Sequence, residues 1–194
     1  MNSDRCQHVF TAIDKINRQD PNKLTINQES IAKELVYGHQ MTACLNKYWP
    51  NASECLQIAV RAQHVKRWHI ARSEYPTGKQ GYLTWRKELG KMHADIAKKI
   101  MLEHGYNEQE AEHTAKIIRK EKLKRDQDSQ TLEDVACLVF LQHYFAPFAE
   151  KHSDEKVISI LQKTWRKMSD KSHEIALKLT LPEHLAALVN KALS

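Results

Sequence analysis

LTWRKELGKMHADIAKKIMLEHG, residues 83–105, reads as one long amphipathic helix and decides the fold class. Leu83, Leu89, Met92, Ile96 and Ile100 recur at helical spacing, and Gly105 stands where a left-handed residue closes a helix at least cost. Upstream, Val9, Phe10, Ile13 and Ile16 predict a first helix that stops at Asp20-Pro21. A second runs from about Gln28 to Tyr48, ending before Pro50, and a third from about Ala52 to Trp68. A loop marked by Pro76, Gly78 and Gly81 leads into the long helix. Downstream, helices are expected near Glu108 to Lys124, Leu132 to Phe145, Asp154 to Met168, Ser172 to Leu179 and Pro182 to Leu193.

Only five Gly and five Pro punctuate the 194 residues, roughly half of the usual ~12% combined share, so many-stranded sandwiches and barrels are poor readings. With 41% hydrophobic and 28% charged residues the chain has the means to bury a core, which excludes disorder. No internal repeat or low-complexity linker interrupts it. The expected architecture is all-α, a single compact helical domain over residues 1–194.

Cys6, Cys44, Cys55 and Cys137 lie far apart and form no CxxC pair, so they read as reduced thiols of a cytoplasmic protein. The first residues carry no apolar signal core, and the apolar run Val135 to Leu141 is too short to span a bilayer, so no membrane partner is expected. Asn51-Ala-Ser53 matches a glycosylation sequon, but Asn51 with Glu54 reads instead as a helix-start box.

Ionisable residues interrupt three apolar stripes. Val60, His64 and Trp68 follow at four-residue steps; Leu89, His93, Ile96 and Ile100 share a stripe; Asp134 falls in line with Leu138, Leu141 and Phe145. Two histidines and an aspartate are therefore expected to project inward. A buried carboxylate needs a pairing, hydrogen-bonding or metal partner. Each of the three is either a satisfied core group or a ligand for a divalent metal, since imidazole and carboxylate suit such ions.

His64 in Ala62-Gln-His64-Val, His93 in Met92-His93-Ala-Asp95, and Asp134 in Leu132-Glu-Asp134-Val resemble, in order and rough spacing, the HD-domain superfamily. The resemblance implies an all-helical, metal-dependent phosphohydrolase in which a histidine, a later His-Asp pair and a distant Asp hold the metal. It covers roughly Ala52 to Phe145. Where that pattern puts Asp directly after the second histidine, this chain has Ala94, and Asp95 is turned by about 100° around the helix. Ile118 likewise leads to Arg119-Lys120 rather than to a further histidine. His64, His93 and Asp134 remain as the implied metal ligands, for Mn, Fe, Co or Mg. Arg61-Ala-Gln-His64, Gly81-Tyr-Leu-Thr-Trp85-Arg86 and Leu132-Glu-Asp134-Val-Ala-Cys-Leu also resemble an uncharacterised bacterial and fungal family defined as a domain of unknown function, which implies no activity.

Charge sharpens the picture. From Arg61 to Met92 eight Lys and Arg face two Glu, an excess of six, equal to the formal charge of the whole chain. Arg67, Arg72, Arg86 and Lys91 can clamp phosphate oxygens, with Trp68, Tyr75, Tyr82 and Trp85 near enough in sequence to stack a base or sugar. The alternative is a solvated face whose Arg stems cover Trp rings. The run Lys116 to Arg125 either extends a nucleic-acid track or ends a helix whose dipole it complements.

Lys167-Met-Ser-Asp-Lys171 with His69-Ile-Ala-Arg72 superficially resembles the signatures of class I aminoacyl-tRNA synthetases, but the strand series of a Rossmann fold is missing. No G-x-S-x-G elbow supports a serine hydrolase. The expected function is hydrolysis of a nucleotide or another small phosphorylated molecule, with Arg61, Arg67 and Arg86 offsetting charge on the phosphoryl group. The resemblance also admits an oxygenase with a related helical iron site. The alternative from another class is a non-catalytic helical module that binds RNA or small anions through the same basic surface.

Overall fold

The computed structural model describes residues 3–193. Its elements are helical apart from one two-stranded hairpin, as an all-α reading requires. Contacts divide the chain into two units, the first ending at Leu132 and the second beginning at Glu133. The sequence reading took residues 1–194 as one domain.

The first unit opens with α1 (Asp4–Asn17), whose Ser3 side chain accepts from the Cys6 N–H and whose Val9 and Ile13 are fully buried. Next comes the hairpin β1 (Lys23–Ile26) and β2 (Glu29–Ala32), antiparallel with Ile26 opposite Glu29. Asn27 and Gln28, with φ of 49° and 68°, form its two-residue turn. Positive φ at both central positions matches the right-handed twist of the strands. The helix expected from Gln28 therefore starts five residues later, as α2 (Lys33–Tyr48). Ala32 cannot cap α2, and buried Asp20 does so from a distance, its carboxylate accepting from the Glu34 N–H at 3.0 Å.

α3 (Glu54–Ala62) is capped by Ser53, which accepts from the Leu56 N–H, rather than by the expected Asn51–Glu54 box. Glu54 instead accepts from the Ser3 N–H and the Tyr106 hydroxyl. Ile58, Ala59, Val60 and Ala62 are fully buried, and α3 packs against α1, α2, α4 (Gly78–Glu103) and α5 (Glu108–Ile118). It ends six residues earlier than expected. Lys66 is left-handed, φ 57°, and buried Asn17 accepts its N–H at 3.1 Å while donating to the Glu34 carbonyl. The Asn17 amide thereby fixes the turn after α3 against the start of α2.

Two 3₁₀ turns, Arg67–His69 and Arg72–Glu74, lead into α4, which closes at Gly105 with φ 84° as expected. α5 carries an Asn107–Glu110 capping box and stops at Ile118. Residues 119–126 leave the helical path, with Lys120, Lys122 and Lys124 all left-handed, so the basic run is not the helix end that the sequence predicts. α6 (Gln127–Val139) crosses the boundary between the units.

In the second unit α6 continues through a π-helical turn, Phe140–Tyr144, into α7 (Phe145–Ala149). α8 (Asp154–Trp165), α9 (Asp170–Ala176) and α10 (Glu183–Leu193) follow, with α8 packed on α10. Leu138, Phe145, Val157, Leu161 and Leu185 form its core. Among the described residues no helix is long and apolar enough to cross a membrane.

Candidate functional site

His93 lies in the middle of α4, 2% exposed, with Nδ1 2.7 Å from the Val65 carbonyl oxygen. A carbonyl only accepts, so Nδ1 carries the proton and Nε2 holds a bare lone pair. That Nε2 is buried and has no hydrogen-bond partner. Burial, and then the neighbouring His64 and Arg67, push the ring's pKa down to about 3 against the pull of the Val65 carbonyl, so His93 is neutral.

His64 follows α3 in the turn that Asn17 fixes. Its ring stacks on Tyr37, centroids 4.1 Å apart, and lies 6.0 Å from the His93 ring. Nδ1 is 3.2 Å from Oε2 of Glu34, and Nε2 is 3.4 Å from Nη1 of Arg67. A guanidinium only donates, so Nε2 accepts and Nδ1–H points to Glu34, the same tautomer as His93. Burial, reinforced by Arg67, Lys120 and Arg86, holds the His64 pKa well below the ordinary imidazole range. Glu34 is itself buried, which raises its carboxyl to about 7 although Arg67 and Lys33 oppose the rise.

Both rings line a pocket of about 360 Å³. Arg67, Arg86, Lys87, Lys91, Arg119 and Lys120 share the lining with only two carboxylates, Glu88 and Glu121. Arg86, Gly90 and His93 stand four and three residues apart on α4, which puts them on one helix face. The Arg67 guanidinium carbon lies 4.7 Å above the Trp85 ring, and Trp85 donates through Nε1 to the Ile70 carbonyl. Arg119 is held by Glu112 and Glu121 at 2.8 and 2.7 Å. The site is thus a cationic cup with two neutral imidazoles, suited to an anion.

Of the residues singled out in the sequence, His64, His93, Arg67, Arg86 and Lys91 meet in this pocket. Arg61 has other partners: its Nε and Nη2 donate to the two oxygens of buried Asp14 at 2.8 and 2.7 Å, and Nη1 donates to Thr42. Arg72 donates to the Tyr75 and Pro76 carbonyls, both at 2.9 Å, and so shapes the loop before α4. Asp134 sits in the second unit, where its carboxylate accepts from the Ser169 N–H, the Ser169 hydroxyl and the Ser172 hydroxyl. These bonds tie α6 to the start of α9. Among the described residues no group of three or more His, Cys, Asp or Glu side chains is placed to hold a metal ion. Sequence reasoning missed Glu34 and Gly90, and it set the basic run Lys116 to Arg125 outside a small-ligand site, whereas Arg119 and Lys120 of that run line the pocket. The hairpin that delivers Glu34 was itself unforeseen, although Asn27 directly after the β-branched pair Thr25-Ile26 is a residue type that turns favour.

The family described as "Domain of unknown function (DUF4202)" matches residues 7–189. The chain belongs to this family. No curated protein and no solved structure matches it. The DUF4202 match spans every residue of the pocket.

Proposed function

We propose that the chain binds a small phosphorylated molecule in the His64–His93 pocket and hydrolyses its phosphate ester. The observation that carries the proposal is the buried, unpartnered Nε2 of His93, whose ring lies 6.0 Å from that of His64, in a lining with six cations. Arg67, Arg86 and Lys91 would bind phosphate oxygens, Arg67 through a planar fork that matches them. Water would attack phosphorus as the ester P–O bond breaks, the leaving oxygen taking a proton. The lowered pKa values make both imidazoles poor proton acceptors and good neutral ligands. The resemblance to HD domains implies a divalent metal, and His64 and His93 would give it two of its donors, each ring with Nδ1–H held by an oxygen as metal-bound histidines have it. Such an ion supplies Lewis-acid polarisation and an acidified water. His64 and His93 would hold it, and imidazole donors suit Fe or Co better than Mg.

Release of phosphate from a panel of nucleoside and sugar phosphates, with Mn, Fe, Co or Mg ions and with a chelator, tests this. Metal-dependent turnover that His93→Asn abolishes is expected; no turnover and no binding of any member at near-physiological salt overturns it. A second reading, a non-catalytic module for small anions, is favoured by the absence of a third metal donor among the described residues. Under that reading the same panel binds and no phosphate is released.

A further inference from the structure

The chain has five glycines, and four of them are explained by the fold. Gly78 and Gly105 have φ of 85° and 84°; a Cβ on Gly81 would lie 2.0 Å from the Pro76 carbonyl oxygen, and one on Gly38 would lie 3.2 Å from that of Arg61. Gly90 has neither reason. It sits inside a 26-residue helix, where glycine is among the least favourable residues, and a Cβ built on it would meet nothing within 4 Å. The space it leaves open is the pocket, which Gly90 lines between Arg86 and His93.

We infer that Gly90 keeps a shelf of bare helix backbone open for the organic body of the ligand, which makes it the position that selects phosphate esters over inorganic phosphates. The inference rests on the proposed phosphate-binding role of the pocket. Leu89 and Ile118, both nearly fully buried, give the lining an apolar stretch beside Gly90 where no phosphate oxygen would gain. The cavity of about 360 Å³ is far larger than a phosphate ion requires and falls in the range of small-molecule sites, ~300–1,000 Å³. His93, one helical turn from Gly90, lines the same space. A ligand that reaches both would place its charged group among Arg67, Arg86 and His93 and its body across Gly90.

Calorimetric titration of wild type, Gly90→Ala and Gly90→Leu with ADP and with inorganic pyrophosphate tests the assignment. Both variants replace glycine with strong helix formers, so Tm should rise by about 2–4 °C in Gly90→Ala, which verifies the fold. ADP affinity should fall about tenfold or more in Gly90→Leu and by a smaller factor in Gly90→Ala, with pyrophosphate affinity unchanged within twofold in both. Equal affinities for ADP in all three proteins would overturn the inference and leave the pocket reading standing. Parallel loss of ADP and pyrophosphate would place the phosphates themselves at Gly90 and overturn it too. Failure of wild type to bind either probe would overturn the pocket reading on which the inference depends.

Discussion

Nδ1 of His64 lies 3.2 Å from Oε2 of Glu34, a carboxyl that burial raises to about 7. The folded protein thus keeps a proton on Glu34 that the unfolded chain loses near 4.5. Between these values the native state binds more protons, so the stability this group contributes below pH 4.5 is lost as the pH rises through 7. Glu34→Gln removes that slope and keeps an acceptor for Nδ1–H. Urea unfolding at pH 5 and pH 8 should therefore show a larger loss for wild type than for Glu34→Gln; identical losses would refute the buried carboxyl's role.

His93 has the opposite sign. Its folded pKa of about 3 lies below the ordinary 6.5, so the unfolded chain binds the extra proton and stability is lost as the pH falls from 6.5 towards 3. His93→Asn keeps a donor for the Val65 carbonyl and abolishes the titration. Acidification from pH 6.5 to 4.5 should cost the variant less than wild type in the same unfolding assay, whereas equal costs would show that the ring is not held neutral.

Much of this was legible in the sequence, for definable reasons. The stripe from Leu83 to Ile100 and the stop at Gly105 predict α4 because both depend on local spacing and one backbone conformation. His64 reached the pocket for a reason the stripe does not contain: α3 ends at Ala62, and the ring is aimed by a turn tied to Asn17, 49 residues away from Lys66 in sequence. Glu34 was invisible because its burial depends on the hairpin and on Asp20. Arg61 and Arg67 look alike in sequence, and only the position of Asp14 on α1 separates the structural guanidinium from the one that faces the pocket.

That separation has a measurable consequence. Arg61→Ala leaves buried Asp14 without its main partner, and breaking such a pair costs ~3–5 kcal/mol. Although burial pushes the Asp14 carboxyl up, hydrogen bonds from His39 and Arg61 hold it at about 2. Arg67→Ala should cost far less stability but weaken ADP binding about tenfold or more, as loss of a charge-assisted bond worth ~1.5–3 kcal/mol requires. Denaturant curves and calorimetry on the two variants check this; a reversed pattern would exchange their roles.

Asp134→Ala strips the acceptor from the Ser169 N–H and turns the fully buried Ser172 hydroxyl to the Ser169 carbonyl, which should destabilise the protein by ~1–3 kcal/mol. Asp134→Asn retains one acceptor and should cost less. Metal analysis of the same variants separates the two roles of this residue: unchanged metal content with lowered stability is expected from the bonds to Ser169 and Ser172, and metal loss without a stability change would restore Asp134 as a ligand.

The most direct measurement is long-range ¹H–¹⁵N NMR of the histidine side chains at pH 6, assigned with His93→Asn and His64→Gln. Both rings should be neutral with the proton on Nδ1, and the Nε2 resonances of both should shift as ADP is added in the presence of a diamagnetic divalent ion. Rings protonated at both nitrogens, or Nε2 resonances that stay fixed while ADP binds, would contradict the assignment of this pocket as the functional site.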